Sequence, residues 1–214
     1  MGSLEPFRPE DSHVRAETLY GIVKPHLKDG LSYLDIGCAY AILAPHVKFD
    51  FPHSSYFGFD ADASTIKYCR EHYPWATWEH GAIIPAIHYT KLWLFLNSQQ
   101  ILYQDDHGEE TQGDAELPKH KYNVIMHLAN DSWQFNDLWK LHLWLIRRGL
   151  EEPTLVLLES GWRTDYDGPV VTMREIQRLY VAAGLCVLDE GEFQFDCVNY
   201  NKNKRVYSLL GRKA

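Results

Sequence analysis

Apolar residues occur along the chain in short runs, separated by segments in which they recur at helical spacing. Short apolar runs of four to eight residues are typical of buried strands in a parallel sheet. Five such runs are predicted strands: 31–36, 55–59, 76–79, 122–128 and 154–159. Four segments that follow predicted strands along the chain are predicted helices: 40–47, 64–72, 131–148 and 172–184. Strands that alternate with helices predict an α/β fold with a doubly wound, mostly parallel sheet.

Both ends of the chain extend this pattern. Residues 186–195 and 205–210 have strand character and flank a turn-rich stretch, which predicts a C-terminal antiparallel hairpin and a seven-stranded sheet. Apolar residues at helical spacing predict a leading helix over about 11–29. Ser64 and Thr172 are predicted N-terminal helix caps. We expect a single domain over residues 1–214.

An insertion is predicted over about 86–120, between the third and fourth strands of the sheet. Residues 90–104 fit either a hairpin or an interrupted helix, and periodicity does not decide between them. Residues 104–118 contain six acidic residues and no Lys or Arg. Such a charge run favours an exposed, solvated loop over a site for a basic partner.

Composition narrows the class of protein. The formal net charge of −8 argues against broad neutralisation of phosphates, so a nucleic acid partner is not expected and a small or basic substrate is favoured. Four widely spaced cysteines without a CxxC pair indicate neither a zinc cluster nor a disulfide framework, and we expect a reduced, cytoplasmic setting. No apolar run approaches the ~20 residues that cross a bilayer, so no membrane partner is expected.

The loop after the first predicted strand carries the most specific motif. Residues 33–43 read YLDIGCAYAIL, an acidic residue followed by small residues. This stretch resembles the first motif of class I S-adenosylmethionine-dependent methyltransferases, in which Gly usually stands at the positions of Ala39 and Ala41. Gly37 allows an unusual turn there, whereas a positive φ is less accessible to alanine. The resemblance implies a Rossmann-like sheet and a cofactor loop formed by Asp35, Gly37, Cys38 and Ala39.

Further motifs extend the resemblance to residues 31–212. Asp60 ends the second strand 25 residues after Asp35, where the family binds the ribose hydroxyls with a carboxylate. The resemblance also implies cofactor contacts from Ala61, Ile83, His127 and Leu128. Two positions depart from the family pattern, since Ala82 and Asn123 stand where acidic residues are common.

Methyl transfer from S-adenosylmethionine, which leaves S-adenosylhomocysteine, needs mainly an acceptor lone pair in line with the methyl group. A base helps only where the acceptor must lose a proton, and His127 is the candidate catalytic base on this account. A hydrogen-bonded structural histidine is the alternative. Residues after the fifth strand are candidates for an acceptor pocket: Glu159, Trp162, Arg163 and Tyr166. The histidines form no metal-ligand motif, so no metal is expected.

Three alternatives remain open from the sequence. A nicotinamide-dependent oxidoreductase would need G-x-G-x-x-G, but Ala39 and Ile42 stand at the second and third glycine positions. A non-catalytic binding protein with the same fold would explain the altered motif positions. An RNA or protein methyltransferase is the third. We favour an enzyme that methylates an O or N atom of a small molecule.

Overall fold

The computed structural model describes residues 13–60, 62–80, 103–104, 110–111, 121–128, 142, 145–146, 150, 154–161, 168–197 and 200–212. Four α-helices are bounded within these ranges: α1 (His13–Val23), α2 (Ala44–Asp50), α3 (Ala63–His72) and α4 (Gly168–Ala182). The strands of the main sheet are β1 (Ser32–Ile36), β2 (Ser55–Asp60), β3 (Thr77–His80), β6 (Val124–Leu128), β7 (Leu155–Gly161), β8 (Cys186–Cys197) and β9 (Tyr200–Gly211). Two short strands, β4 (Tyr103–Gln104) and β5 (Glu110–Thr111), pair with each other.

Seven strands form the main sheet in the order β3-β2-β1-β6-β7-β9-β8. The first five run parallel, whereas β9 pairs antiparallel with both β7 and β8. The predicted doubly wound sheet with a C-terminal antiparallel hairpin is therefore confirmed. The chain leaves β1 towards β2 and β3 on one side and returns to β6 on the other. This reversal of strand order creates a crevice at the carboxyl ends of β1 and β6.

The two faces of the sheet carry separate apolar clusters. One face, here the α1 face, packs against α1, α2 and α3 through residues such as Leu19, Val47 and Ile66. The other, the α4 face, packs against α4 through Met173 and Ile176. Period-two alternation in the strands sends neighbouring side chains to opposite faces. Among the described residues, no helix is both long and apolar enough to cross a membrane.

Several predicted helix boundaries were wrong for identifiable reasons. The leading helix ends at Val23 and continues as a 3-10 turn, Lys24–His26, because Pro25 has no backbone N–H to donate. The cap of α3 is Asp62 rather than Ser64, since the Asp62 carboxylate accepts the Ser64 N–H at 2.8 Å. Thr172 lies inside α4, which begins four residues earlier at Gly168.

The helix predicted over 40–47 begins only at Ala44, because residues 37–43 form a loop with three residues of positive φ. The predicted acidic loop over 104–118 contains part of the β4–β5 pair, so it is not wholly irregular. Residues 142, 145 and 146 of the predicted helix 131–148 are helical, and the rest of that segment lies outside the described residues. The single domain over residues 1–214 stays a prediction.

Candidate functional site

The loop after β1 adopts a conformation that is unusual for its sequence. Gly37, Ala39 and Ala41 all have positive φ, at 64°, 42° and 49°. A left-handed backbone costs a residue with a Cβ roughly 1–2 kcal/mol, so two such alanines need compensating contacts. Short backbone hydrogen bonds provide some of them, from Ala41 N to Cys38 O at 2.7 Å and from Cys38 N to Phe59 O at 3.0 Å. The loop is therefore built tightly against the end of β2.

Asp60 joins this loop to the end of β2. Its Oδ2 accepts the Ala39 N–H at 2.8 Å, and its Oδ1 accepts the Asp62 N–H at 2.9 Å. Each carboxylate oxygen can accept a second hydrogen bond, so the group remains suited to a diol. The structure thus brings Asp60 and Ala39 together, two of the residues that the sequence predicts for cofactor binding.

Asp35 lies at the base of the loop and is buried on the α1 face, with 2% of its surface exposed. Tyr56 donates its hydroxyl to Asp35 Oδ2 at 2.6 Å. Burial raises the pKa of Asp35 to about 7, and the nearby Asp60 charge adds to this, whereas Tyr56 and Arg15 act in the opposite direction. A cation bound nearby would therefore favour the ionised form of this carboxyl group.

Two cysteines and a glycine contribute to the packing of the loop after β1. Cys69 in α3 donates its thiol to Ala39 O at 3.2 Å, and burial raises the pKa of Cys38. A Cβ at Gly58 would lie 2.4 Å from the Trp78 ring and 3.1 Å from Cys38 Sγ. Only glycine therefore allows this packing without displacing its neighbours. Sequence reasoning missed Tyr56, Gly58 and Cys69, although the small residue in the apolar run 55–59 was a signal of close packing.

His127 lies beside the loop after β1, on the α4 face. It pairs in register with Ile36, the residue before Gly37, and is 3% exposed. Its Nδ1 is 3.0 Å from Nε2 of His142, whose Nδ1 is 2.8 Å from the Tyr180 hydroxyl. Burial lowers the pKa of His127 to about 4, opposed by the Glu159 charge. The predicted base is therefore a neutral imidazole at physiological pH.

Glu159 does not line an open pocket. It lies within β7, is 2% exposed and is held by two guanidinium groups, with Arg15 Nη2 at 2.7 Å from Oε2 and Arg205 Nε bonded to Oε1. These two charges hold the pKa of Glu159 at about 2, against the effect of burial. The expected role of Glu159 in binding an acceptor is therefore replaced by a structural one.

The remaining predicted site residues divide into two groups. Leu128 is buried in the cluster of the α1 face, one residue after His127. Asn123 replaces an acid of the family but has a structural contact, since its Oδ1 accepts the Ser32 N–H at 3.1 Å. Ala61 and Ile83 lie outside the described residues, as do Ala82, Trp162, Arg163 and Tyr166. Among the residues that are described, no cluster of His, Cys, Asp and Glu could hold a metal ion.

No protein-family model matches the sequence, and no curated protein matches it in sequence. Solved structures do match its fold. Precorrin-6y C5,15-methyltransferase from Geobacter metallireducens has a TM-score of 0.59 at 13% identity, covering 100% of this chain and 94% of that one. Magnesium protoporphyrin IX methyltransferase from Synechocystis with bound S-adenosylmethionine has a TM-score of 0.56 at 12% identity, covering 95% and 81%.

A proposed RNA methyltransferase from Pyrococcus horikoshii also has a TM-score of 0.56, at 8% identity, covering 94% of this chain and 84% of that one. The chain therefore has the Rossmann-like fold of the S-adenosylmethionine-dependent methyltransferases. Identities this low establish the shared fold. The substrates in these three names differ widely, so the acceptor has to be argued from this chain's own residues.

Proposed function

We propose that the protein is an S-adenosylmethionine-dependent methyltransferase that releases S-adenosylhomocysteine. The observation that carries the proposal is the hydrogen bond of 2.8 Å between Ala39 N–H and the Asp60 carboxylate. It holds a loop of left-handed residues at the carboxyl ends of β1 and β2, next to the point where strand order reverses. Ligands of open α/β sheets bind in this crevice.

The residues present fit this cofactor. Asp60 is proposed to accept hydrogen bonds from the ribose hydroxyls, and the exposed Ala39 brings its backbone close to the ligand. Asp35, with a pKa of about 7, supplies negative charge near the cationic amino-acid end once it ionises. Cofactor contacts are also proposed for Gly37, Cys38, Ala61, Ile83, His127 and Leu128.

The bound cofactor would supply an activated methyl group, and the chain itself would position the acceptor and exclude water. His127 is the proposed residue on the acceptor side, because it lies in register with Ile36 at the end of β1. A small molecule that accepts the methyl group on O or N is proposed. The net charge of −8 supports this substrate class over an RNA acceptor.

A non-catalytic binding protein with this fold is the second candidate, favoured by the two strained alanines in the loop. The two candidates differ in the fate of the bound cofactor. A methyltransferase turns over S-adenosylmethionine in the presence of an acceptor, whereas a binding protein does not.

Calorimetric titration with S-adenosylmethionine, S-adenosylhomocysteine and NADH tests the proposal. Both sulfur ligands should bind and NADH should not. The variant Asp60→Asn should weaken binding at least tenfold, which corresponds to about 1.4 kcal/mol. Asp29→Asn is the matched control, because Asp29 also accepts two backbone N–H groups, from Gly30 and His53, but precedes β1 at the opposite edge of the sheet.

Thermal unfolding of each variant shows whether lost binding reflects lost folding. Failure of the wild type to bind either sulfur ligand would refute the methyltransferase proposal. Binding of NADH alone would instead indicate an oxidoreductase.

A further inference from the structure

Three buried polar groups form a continuous hydrogen-bonded chain on the α4 face. His127 in β6 contacts His142, which contacts Tyr180 in α4, over distances of 3.0 and 2.8 Å. His142 and Tyr180 have no exposed surface. The chain therefore leads from the edge of the cofactor loop into the packed interior, and its hydrogen atoms can be assigned by counting donors and acceptors.

All three groups are neutral at physiological pH. Burial lowers the pKa of both histidines, to about 4 for His127, and raises the pKa of Tyr180. Each imidazole then carries one N–H and one lone pair, and the phenol carries one O–H. Only two orders are consistent with this count. Either every group donates towards Tyr180, or every group donates towards His127.

Tyr180 distinguishes these orders. Within the described residues its hydroxyl has one hydrogen-bond partner, Nδ1 of His142. If His142 donated from Nδ1, the phenol O–H would lie without an acceptor in the packed interior, where no ligand reaches it, at a cost of about 1–3 kcal/mol. In the reverse order the outermost donor is Nε2–H of His127, at the end of the chain beside the loop after β1, where a bound ligand can accept from it. Tyr180 therefore donates to His142 Nδ1, and His142 donates from Nε2 to Nδ1 of His127. The remaining proton of His127 then resides on Nε2.

We propose that His142 and Tyr180 are positioning residues that hold His127 in the tautomer with its proton on Nε2, which makes His127 a hydrogen-bond donor rather than a base. This differs from the base role predicted from the sequence, and its catalytic meaning rests on the proposed methyltransferase function. Nδ1 of His127 already accepts a hydrogen bond from His142 in this order. Both ring nitrogens of His127 are therefore committed, and neither is free to take a proton from the acceptor.

This assignment restricts the chemical class of the methyl acceptor. In the transfer, a lone pair of the acceptor forms the new bond to the methyl carbon, and the electrons of the breaking carbon–sulfur bond go to sulfur. No proton moves to His127 in this step. An acceptor whose lone pair is already free at neutral pH, such as a carboxylate oxygen, satisfies this requirement. An aliphatic alcohol, which must lose its proton to react, does not.

NMR of protein labelled with ¹⁵N in histidine tests the assignment, because ring nitrogens with and without a proton have well-separated shifts. Spectra of the wild type, alone and with S-adenosylhomocysteine, should show His127 and His142 both protonated on Nε2 between pH 6 and 8. The variants His127→Gln and His142→Gln assign the signals. In Tyr180→Phe the donor to His142 is lost, and both histidines should shift towards a mixture of tautomers.

Tyr207→Phe is the control, because its hydroxyl donates to Asp189 at an exposed position, and it should leave the histidine signals unchanged. A His127 protonated on Nδ1 in the wild type would overturn the inference, and so would a Tyr180→Phe spectrum identical to the wild type. Failure to bind S-adenosylhomocysteine would refute the proposed function but leave the tautomer result intact, so the two failures are distinguishable.

Discussion

The two faces of the central strands bury polar groups in opposite ways. On the α1 face, Glu159 in β7 is held between Arg15 and Arg205, all three carrying full charge in the interior. On the α4 face, the chain of His127, His142 and Tyr180 is neutral throughout. Both arrangements link buried polar groups through hydrogen bonds, but only the first depends on balancing charge.

The difference predicts how much stability each face loses when one hydrogen-bonding partner is removed. Removing one member of a buried ion pair leaves an uncompensated charge in a region of low dielectric, which costs more than the pair itself contributes. Removing one member of a neutral chain leaves one unsatisfied donor or acceptor. The α1 face should therefore dominate stability, and the α4 face should tune the chemistry at the loop.

The largest effect on stability is expected from removing the buried carboxylate on the α1 face. Glu159→Gln leaves two buried guanidinium groups without their carboxylate, and should lower the free energy of unfolding by about 3–5 kcal/mol. Denaturant unfolding measures this. The control is Glu192→Gln, which removes an exposed pair with Lys204 and should cost less than about 0.5 kcal/mol. Equal losses in the two variants would contradict the comparison.

The next effect is a pH dependence that belongs to the neutral face. The pKa of His127 is about 4 in the folded protein and 6.5 as its ordinary value, so the unfolded chain binds the proton more readily. The contribution of His127 to stability should therefore fall by on the order of 3 kcal/mol as pH decreases from about 6.5 to about 4. His127→Gln should reduce this slope. Burial also lowers the pKa of His142, which acts in the same direction, whereas the raised pKa of Asp35 acts in the opposite direction. These groups and Glu159 are present in both proteins, so the difference between the two slopes reports His127.

Replacement of an exposed histidine, His13→Gln, provides the control for that experiment and should leave the slope unchanged. An unchanged slope in His127→Gln would mean that His127 is protonated in the folded protein, contrary to the neutral chain.

A smaller effect is expected at the inner end of the neutral chain. Tyr180→Phe removes the donor to His142 and should lower the free energy of unfolding by about 1–2 kcal/mol, well below the loss in Glu159→Gln. Tyr207→Phe, at an exposed hydroxyl, should change stability by less than about 0.5 kcal/mol. A loss in Tyr180→Phe as large as in Glu159→Gln would remove the contrast between the faces.

The smallest effect is expected in the loop between the two faces. Ala39→Gly relieves a left-handed alanine whose side chain is exposed, and should stabilise the protein by about 0.5–1 kcal/mol. Ala41→Gly relieves similar strain but loses a buried methyl group, worth about 0.8 kcal/mol, so it should be nearly neutral. Thermal unfolding distinguishes the two. Destabilisation by Ala39→Gly would show that its backbone is unstrained.

The sequence predicted the five parallel strands to within two residues, because buried strands are short apolar runs with clear ends. The last strand, β9, begins at Tyr200, five residues before its predicted start. The sequence did not predict the start of α2, since two alanines adopt backbone angles that their side chains disfavour. It correctly placed Asp35, Gly37 and Asp60 at the carboxyl ends of β1 and β2. The partners of His127 could not be predicted, because His142 and Tyr180 reach it from separate elements.

The contact between Arg15 and Glu159 also spans 144 residues, and that between Arg205 and Glu159 spans 46. The first described helix and the last described strand therefore meet at one buried carboxylate. Such long-range closure slows folding, because the entropy of the intervening chain must be lost before the contact forms. During synthesis, Glu159 emerges before Arg205 and stays hydrated until β9 arrives. Complete burial of this charge is thus a late event, and a chain on the ribosome that lacks β9 leaves β7 as an edge strand.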